Sequence, residues 1–185
     1  MIESEYETAL KIARKKQELL INQVPSSIQK REDSLYQKLV SSKRNRIKKL
    51  QILFSEMEKI YTYIHKFTAC KKGCNHCCHY EITISVLETE YIKRNIKDSK
   101  ISKNLTQNSC PFLKQGICSI YEYRPYLCRR HVSINDSAKW CETEICHKYN
   151  FPLVSLSEVD KCYAYIIGPN GQDTIKDIRV AFNMA

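Results

Sequence analysis

The chain has 185 residues, 43% of them hydrophobic, with ten cysteines and a formal net charge of +10. That size suits one domain or a small domain with an appendage, and the hydrophobic fraction is enough for a real core. No apolar run approaches the roughly 20 residues of a spanning helix, and eight charged residues interrupt Met1 to Leu20, which excludes a secretory signal; a soluble cytoplasmic protein is expected.

Residues 2 to 22 read as an amphipathic helix, with Ile2, Tyr6, Leu10, Ala13, Leu20 and Val24 near one stripe. Pro25 interrupts it, and Ser26 or Ser27 is placed to cap the next helix. This second, longer helix is predicted to about His65, carrying Ile28, Leu35, Leu39, Ile47, Leu50, Phe54, Met57, Tyr61 and Ile64. The polar stretch Ser41 to Arg46 inside it reads as either a solvated face or a break. Two helices joined by a short turn predict a helical hairpin over residues 1–67. Residues 1–66 hold 14 Lys and Arg against 8 Asp and Glu, so the basic surplus lies mainly here. Core packing accounts for the apolar stripe; the sharper alternative is an arm that binds a protein partner or nucleic acid.

Residues 68–185 read as a second unit, rich in cysteine. Tyr80 to Ile84 alternates and predicts a short strand. Ser85-Val86-Leu87-Glu88 is a capping box and predicts a helix to about Ile96. Lys97 to Asn108 is polar and reads as an exposed loop. Lys114-Gln115-Gly116 then predicts the turn of a small hairpin, with Cys110 and Cys118 at its open end. Ser119 to Glu122 starts a helical turn, and the chain bends at Pro125 before Cys128. A helix capped by Ser155 or Ser157 is predicted through Tyr165, a turn at Gly168 to Gly171, and a terminal helix from Asp173 to Phe182. The fold class is mostly α with small β elements: a helical hairpin followed by a compact cysteine-rich module.

The chemistry concentrates at Cys70-x3-Cys74-x2-Cys77-Cys78, four cysteines within nine residues. Thiolates this close in sequence can face one small volume, which suits Zn2+ or the irons of an Fe–S cluster. Gly73 precedes Cys74, where a reversing chain benefits from tolerance of positive φ. Ten thiols without an export signal argue for metal ligation over a disulfide framework. Thiolate ligands would also cancel much of the formal positive charge. Cys141 and Cys146 form a further C-x4-C pair, and Cys162 reads as a buried small apolar residue. His76, His79, His131 and His147 flank cysteines and are further ligand candidates, although a solvated role suits each better. Arg124, Arg129 and Arg130 are placed to donate to sulfur, to fix an anion or to pair with an acid such as Glu122.

Three ordered motifs carry a resemblance. Cys70-x3-Cys74-x2-Cys77-Cys78, then Cys110-Pro111-Phe112-Leu113, then Cys118-x-Ile120-Tyr121-x-x-Arg124-Pro125-x-x-Cys128-Arg129 resemble the YkgJ-type cysteine-cluster proteins, a zinc- or iron-chelating family, over about residues 68–130. The resemblance implies metal ligands at Cys70, Cys74, Cys77, Cys78, Cys110, Cys118 and Cys128. Seven thiols exceed one tetrahedral site, so one site or two remain open. An Fe–S cluster, 4Fe-4S first, or Zn2+ is the expected cofactor, with crowding on one loop favouring iron. Flagellin lysine N-methylases look like an enzymatic branch of the same family. That branch implies S-adenosylmethionine and transfer of methyl groups to protein lysine as an alternative function.

Overall fold

The computed structural model describes residues 2–71, 73–96, 109–168 and 175–183. Helix α1 (Ile2–Asn22) ends before Pro25, and α2 (Ser26–Val40) begins directly after it. The cap of α2 is the backbone of Pro25, whose carbonyl accepts from Ile28 and Gln29 at 2.8 and 3.1 Å. Ser26 is thus the first helical residue, and no side chain caps this end.

The long second helix is two helices. Ser41 closes α2 by donating from its hydroxyl to Gln37 O at 2.8 Å. Helix α3 (Arg46–Ile64) opens with Asn45, whose side chain accepts from Lys48 N at 3.0 Å. The polar residues 41–45 have no apolar face to hold against a core, and both ends are satisfied by local caps, so the chain breaks there.

Helices α2 and α3 form the hairpin, and α7 (Ser157–Ile167) packs against both. Leu35 and Leu39 of α2, Leu50, Leu53, Met57 and Ile60 of α3, and Val159, Cys162 and Ile166 of α7 are all buried. The stripe read from the sequence is therefore used inside the protein. Arg46 binds α7 at its C-terminal end, donating to Ile166 O at 2.8 Å and Ile167 O at 2.7 Å, where a cation suits the exposed carbonyls. Neither Ser155 nor Ser157 caps α7; Leu156 precedes it with no side-chain cap.

Helix α1 lies elsewhere, along residues 135–151. Tyr6 donates to Asn150 O at 3.0 Å, and its ring meets Trp140, Tyr149 and Phe151. Lys16 donates to Asn135 O at 3.1 Å. Only Ala9 and Ala13 of α1 are buried, so this helix is held mainly by polar and aromatic contacts at its sides.

Strand β1 (Thr83–Ser85) runs into α4 (Val86–Asn95) through the Ser85–Glu88 capping box, complete in both directions. The hairpin is β2 (Leu113–Lys114) with β3 (Ile117–Cys118), antiparallel, with Leu113 opposite Cys118. Helix α5 (Tyr126–Arg130) follows Pro125, and α6 (Thr143–Cys146) follows a 3-10 turn at Ala138–Cys141. The terminal helix is shorter than predicted. Residues Ile175–Asp177 form β4, antiparallel to β1 with Ile84 opposite Lys176, and α8 (Ile178–Asn183) comes after it. Pairing with β1 supplies the hydrogen bonds that override helix there, and Asp177 then accepts from Arg179 N at 2.7 Å to start α8. The predicted loop at 97–108 and most of the turn at 168–171 lie outside the described residues. One buried cluster runs from Leu35 to Phe182. No helix among the described residues is long and apolar enough to cross a membrane.

Candidate metal centre

Three segments build the cysteine site. The first turns at Gly73, whose φ of 98° is the left-handed backbone expected of it, with Cys74 N donating to Lys71 O at 3.0 Å. A 3-10 turn at His76–His79 then carries Cys77 and Cys78, with Cys78 N donating to Asn75 O at 2.8 Å. The second segment is the β2–β3 hairpin, whose Gln115 and Gly116 both have positive φ, as a two-residue primed turn needs. Asn75 donates to Gly116 O at 3.1 Å and Cys110 N to Cys78 O at 2.8 Å, so loop and hairpin are joined at two points. The third is α5, which Pro125 starts and which presents Cys128.

Cys74, Cys77, Cys78, Cys110, Cys118 and Cys128 line one cavity of about 30 Å³. Ile82, Ile120, Pro125 and Ile178 close it with carbon, and Tyr121 and Arg124 complete the wall. All ten cysteines are free thiols. Hydrogen bonding to Cys78 pushes the Cys77 thiol far above its ordinary range, and hydrogen bonding to Cys110 pushes Cys78 up to about 12. Burial raises Cys118 and, still more, Cys128. Arg124 opposes the rise at Cys77, Cys118 and Cys128. Neutral thiols in this state bond to one another, and no group of three or more His, Cys, Asp or Glu among the described residues is arranged to hold an ion as it stands. Ligation therefore requires the thiols to lose their protons.

Cys70 does not line this cavity. It is raised by burial, accepts from the Ser133 backbone and lies near Cys74 and Cys77. Across from it stands Cys141, pushed up to about 11 by burial and also near Cys70, Cys74 and Cys77. Asn135 donates to the Cys141 sulfur at 3.6 Å. Tyr80 donates to Cys141 O and to the Cys146 sulfur, both at 2.7 Å. Cys141, Cys146, Tyr80 and His131 line a second cavity, of about 240 Å³. The sequence signal for Cys141 was the C-x4-C pair; nothing in the sequence singled out Tyr80 or Asn135. None of the histidines lines the first cavity. Cys162 is buried within the α2–α3–α7 packing and takes no part.

The arginines divide by role. Arg130 pairs with Asp160 at 2.6 Å. Arg129 is buried, over the Phe54 ring, and donates to Arg124 O at 2.7 Å and to Glu122 O. Arg124 stacks on Tyr121 at 3.7 Å and reaches the backbone of Tyr121 at 3.0 Å. The expected pairing with Glu122 is made by its carbonyl, with Arg129, and no ion pair to the Glu122 carboxylate is seen among the described residues.

Residues 69–147 match the model of the family CxxCxxCC, described as a putative zinc- or iron-chelating domain. The matched stretch is 79 of the 185 residues and lies within the cysteine-rich part of the chain. No curated protein and no solved structure matches the chain. The CxxCxxCC match takes in all seven predicted ligands together with Cys141 and Cys146, and leaves out Cys162. The donor set fits the family description: sulfur from three segments, in an apolar wall, suits both zinc and iron.

Proposed function

We propose that this protein binds a zinc or iron ion through thiolates drawn from Cys74, Cys77, Cys78, Cys110, Cys118 and Cys128, with Cys70 adjoining. The observation that carries this reading is the convergence of six cysteines, from segments 74–78, 110–118 and 128, on one small cavity. When bound, the metal cross-links those segments and closes the module around itself. Four thiolates complete a structural zinc site, leaving two in reserve. Ten unpaired thiols support a reducing compartment, hence the cytoplasm.

The test is metal analysis of protein purified without oxygen, with the visible spectrum recorded on the same sample. We expect about one zinc or iron per chain, and loss of most of it in Cys118→Ser and Cys128→Ser. Broad visible absorption with several irons and acid-labile sulfide would replace the single ion by an Fe–S cluster. Protein that takes up neither metal at stoichiometric level would end the proposal.

A further inference from the structure

Behind the cysteine cavity lies another, of about 110 Å³, between α3 and the segment from Tyr121 to Arg129. Tyr121 and Arg124 line both, so one stacked pair forms the partition. Tyr61, His65 and Arg129 contribute the remaining inner polar groups, and Glu58 is exposed at the rim. The distribution of charge here is unusual. Two guanidinium groups share a small cavity, and neither has a carboxylate within ion-pair distance among the described residues. Arg129 is only 8% exposed. A buried guanidinium next to a second one is costly unless an anion is close. Both are also held in place before any ligand arrives: Arg129 by two backbone carbonyls and the Phe54 ring, Arg124 by the Tyr121 ring and carbonyl. Those bonds occupy the Nε–Nη2 edge of Arg129 and the Nε of Arg124, so an oxyanion would be met by Nη1 of Arg129 and the two Nη groups of Arg124, held in place with little entropic loss.

We propose that this cavity is an oxyanion-binding site, taking the carboxylate or phosphate group of a small ligand between Arg124 and Arg129. At about 110 Å³ it has room for one such group. Because Arg124 walls both cavities, the rest of the ligand is directed either out past Glu58 and Thr62 or toward the sulfur-lined cavity. The site does not depend on the metal reading, since its donors are arginines already in position.

The experiment is titration calorimetry on the full chain at low ionic strength, with inorganic phosphate and acetate in separate runs and metal content measured in every sample. We expect saturable binding of at least one anion; which one binds more tightly assigns the ligand's charged group. Arg124→Gln should weaken it about tenfold with metal content unchanged, Arg124→Lys by less, and Glu58→Gln should tighten it by removing the one carboxylate at the rim. Arg124 is half-buried, so its variants keep the test open if Arg129→Gln does not fold. Dissociation constants weaker than about 10 mM for both anions, or binding that Arg124→Gln leaves intact, would overturn the site. Anion binding by protein that holds no metal would uphold it while the metal proposal fails.

Discussion

Glu56 shows how much one side chain can carry. It is 5% exposed on α3, and Arg31, Lys38 and Lys59 reach its carboxylate at 2.5, 3.1 and 3.2 Å. Burial alone would raise its carboxyl, but the three hydrogen-bonded cations outweigh that and hold it at about 2, against an ordinary 4.5. A depressed carboxyl stabilises the folded state above the unfolded value, and that contribution fades as pH falls from about 4.5 through 2. Two of the three cations are half-exposed, which weakens the effect through solvent screening, so about 2 kcal/mol is expected at neutral pH. Urea unfolding of Glu56→Gln should show that loss at pH 7 and almost none at pH 2. A difference that does not shrink with acid would mean that the variant acts by repacking. Cysteines are distinguished at the same scale: Cys128→Ser should lower metal content, whereas Cys162→Ser should leave it unchanged and cost stability alone. Cys162 is fully buried in α7 and its thiol is pushed up to about 12 by burial.

Among the elements, the β2–β3 hairpin has the least tolerance. Gly116 has φ of 74°, and a Cβ there would stand 3.3 Å from Asn75 Nδ2, the group that ties the hairpin to the cysteine loop. Gly116→Ala should therefore cost about 1 kcal/mol by backbone strain and loosen metal retention as well, both read from urea midpoints with and without chelator. Helix α4 depends on Glu88, whose carboxylate accepts from Ser85 N, Tyr126 N and the Tyr163 hydroxyl at 2.9, 2.6 and 2.7 Å. It therefore joins α4 to α5 and α7 besides capping its own helix. Glu88→Ala should destabilise by about 3 kcal/mol, well beyond the roughly 1 kcal/mol of a simple cap, because buried donors on three elements lose their acceptor. A loss no larger than that of Ser85→Ala would show that the joining role is idle.

Taken whole, the molecule has one core serving both the helical part and the cysteine part. Phe54 of α3 meets Tyr91 of α4, and Phe112 of the hairpin meets Phe182 of α8. Metal removal should therefore be felt beyond the cysteine loop. With chelator present, thermal unfolding should shift down by several degrees, and the near-ultraviolet signal of Trp140 should change because α1 packs over residues 135–151. An unchanged melting curve after complete metal removal would separate the metal from the fold.

Local chemistry was readable because it depends on neighbours in sequence. The Ser85–Glu88 capping box, the glycine turns at Gly73 and Gly116, the helical stripe of α3 and the clustered cysteines each satisfy their own hydrogen bonds or geometry within a few residues. What only the tertiary structure decided involves partners far apart in the chain. Strand β4 replaced the start of the terminal helix because β1 lies beside it, and α1 left the hairpin because α7 took that place. Tyr80 came to bond Cys141 and Cys146, more than sixty residues away in sequence, beside the cysteine cavity, and Arg124 and Arg129 came to share a cavity with α3, far from them in sequence. Composition and spacing can specify which atoms are available to bind a metal; the closing of loops dozens of residues long decides which of them face the same few cubic ångströms.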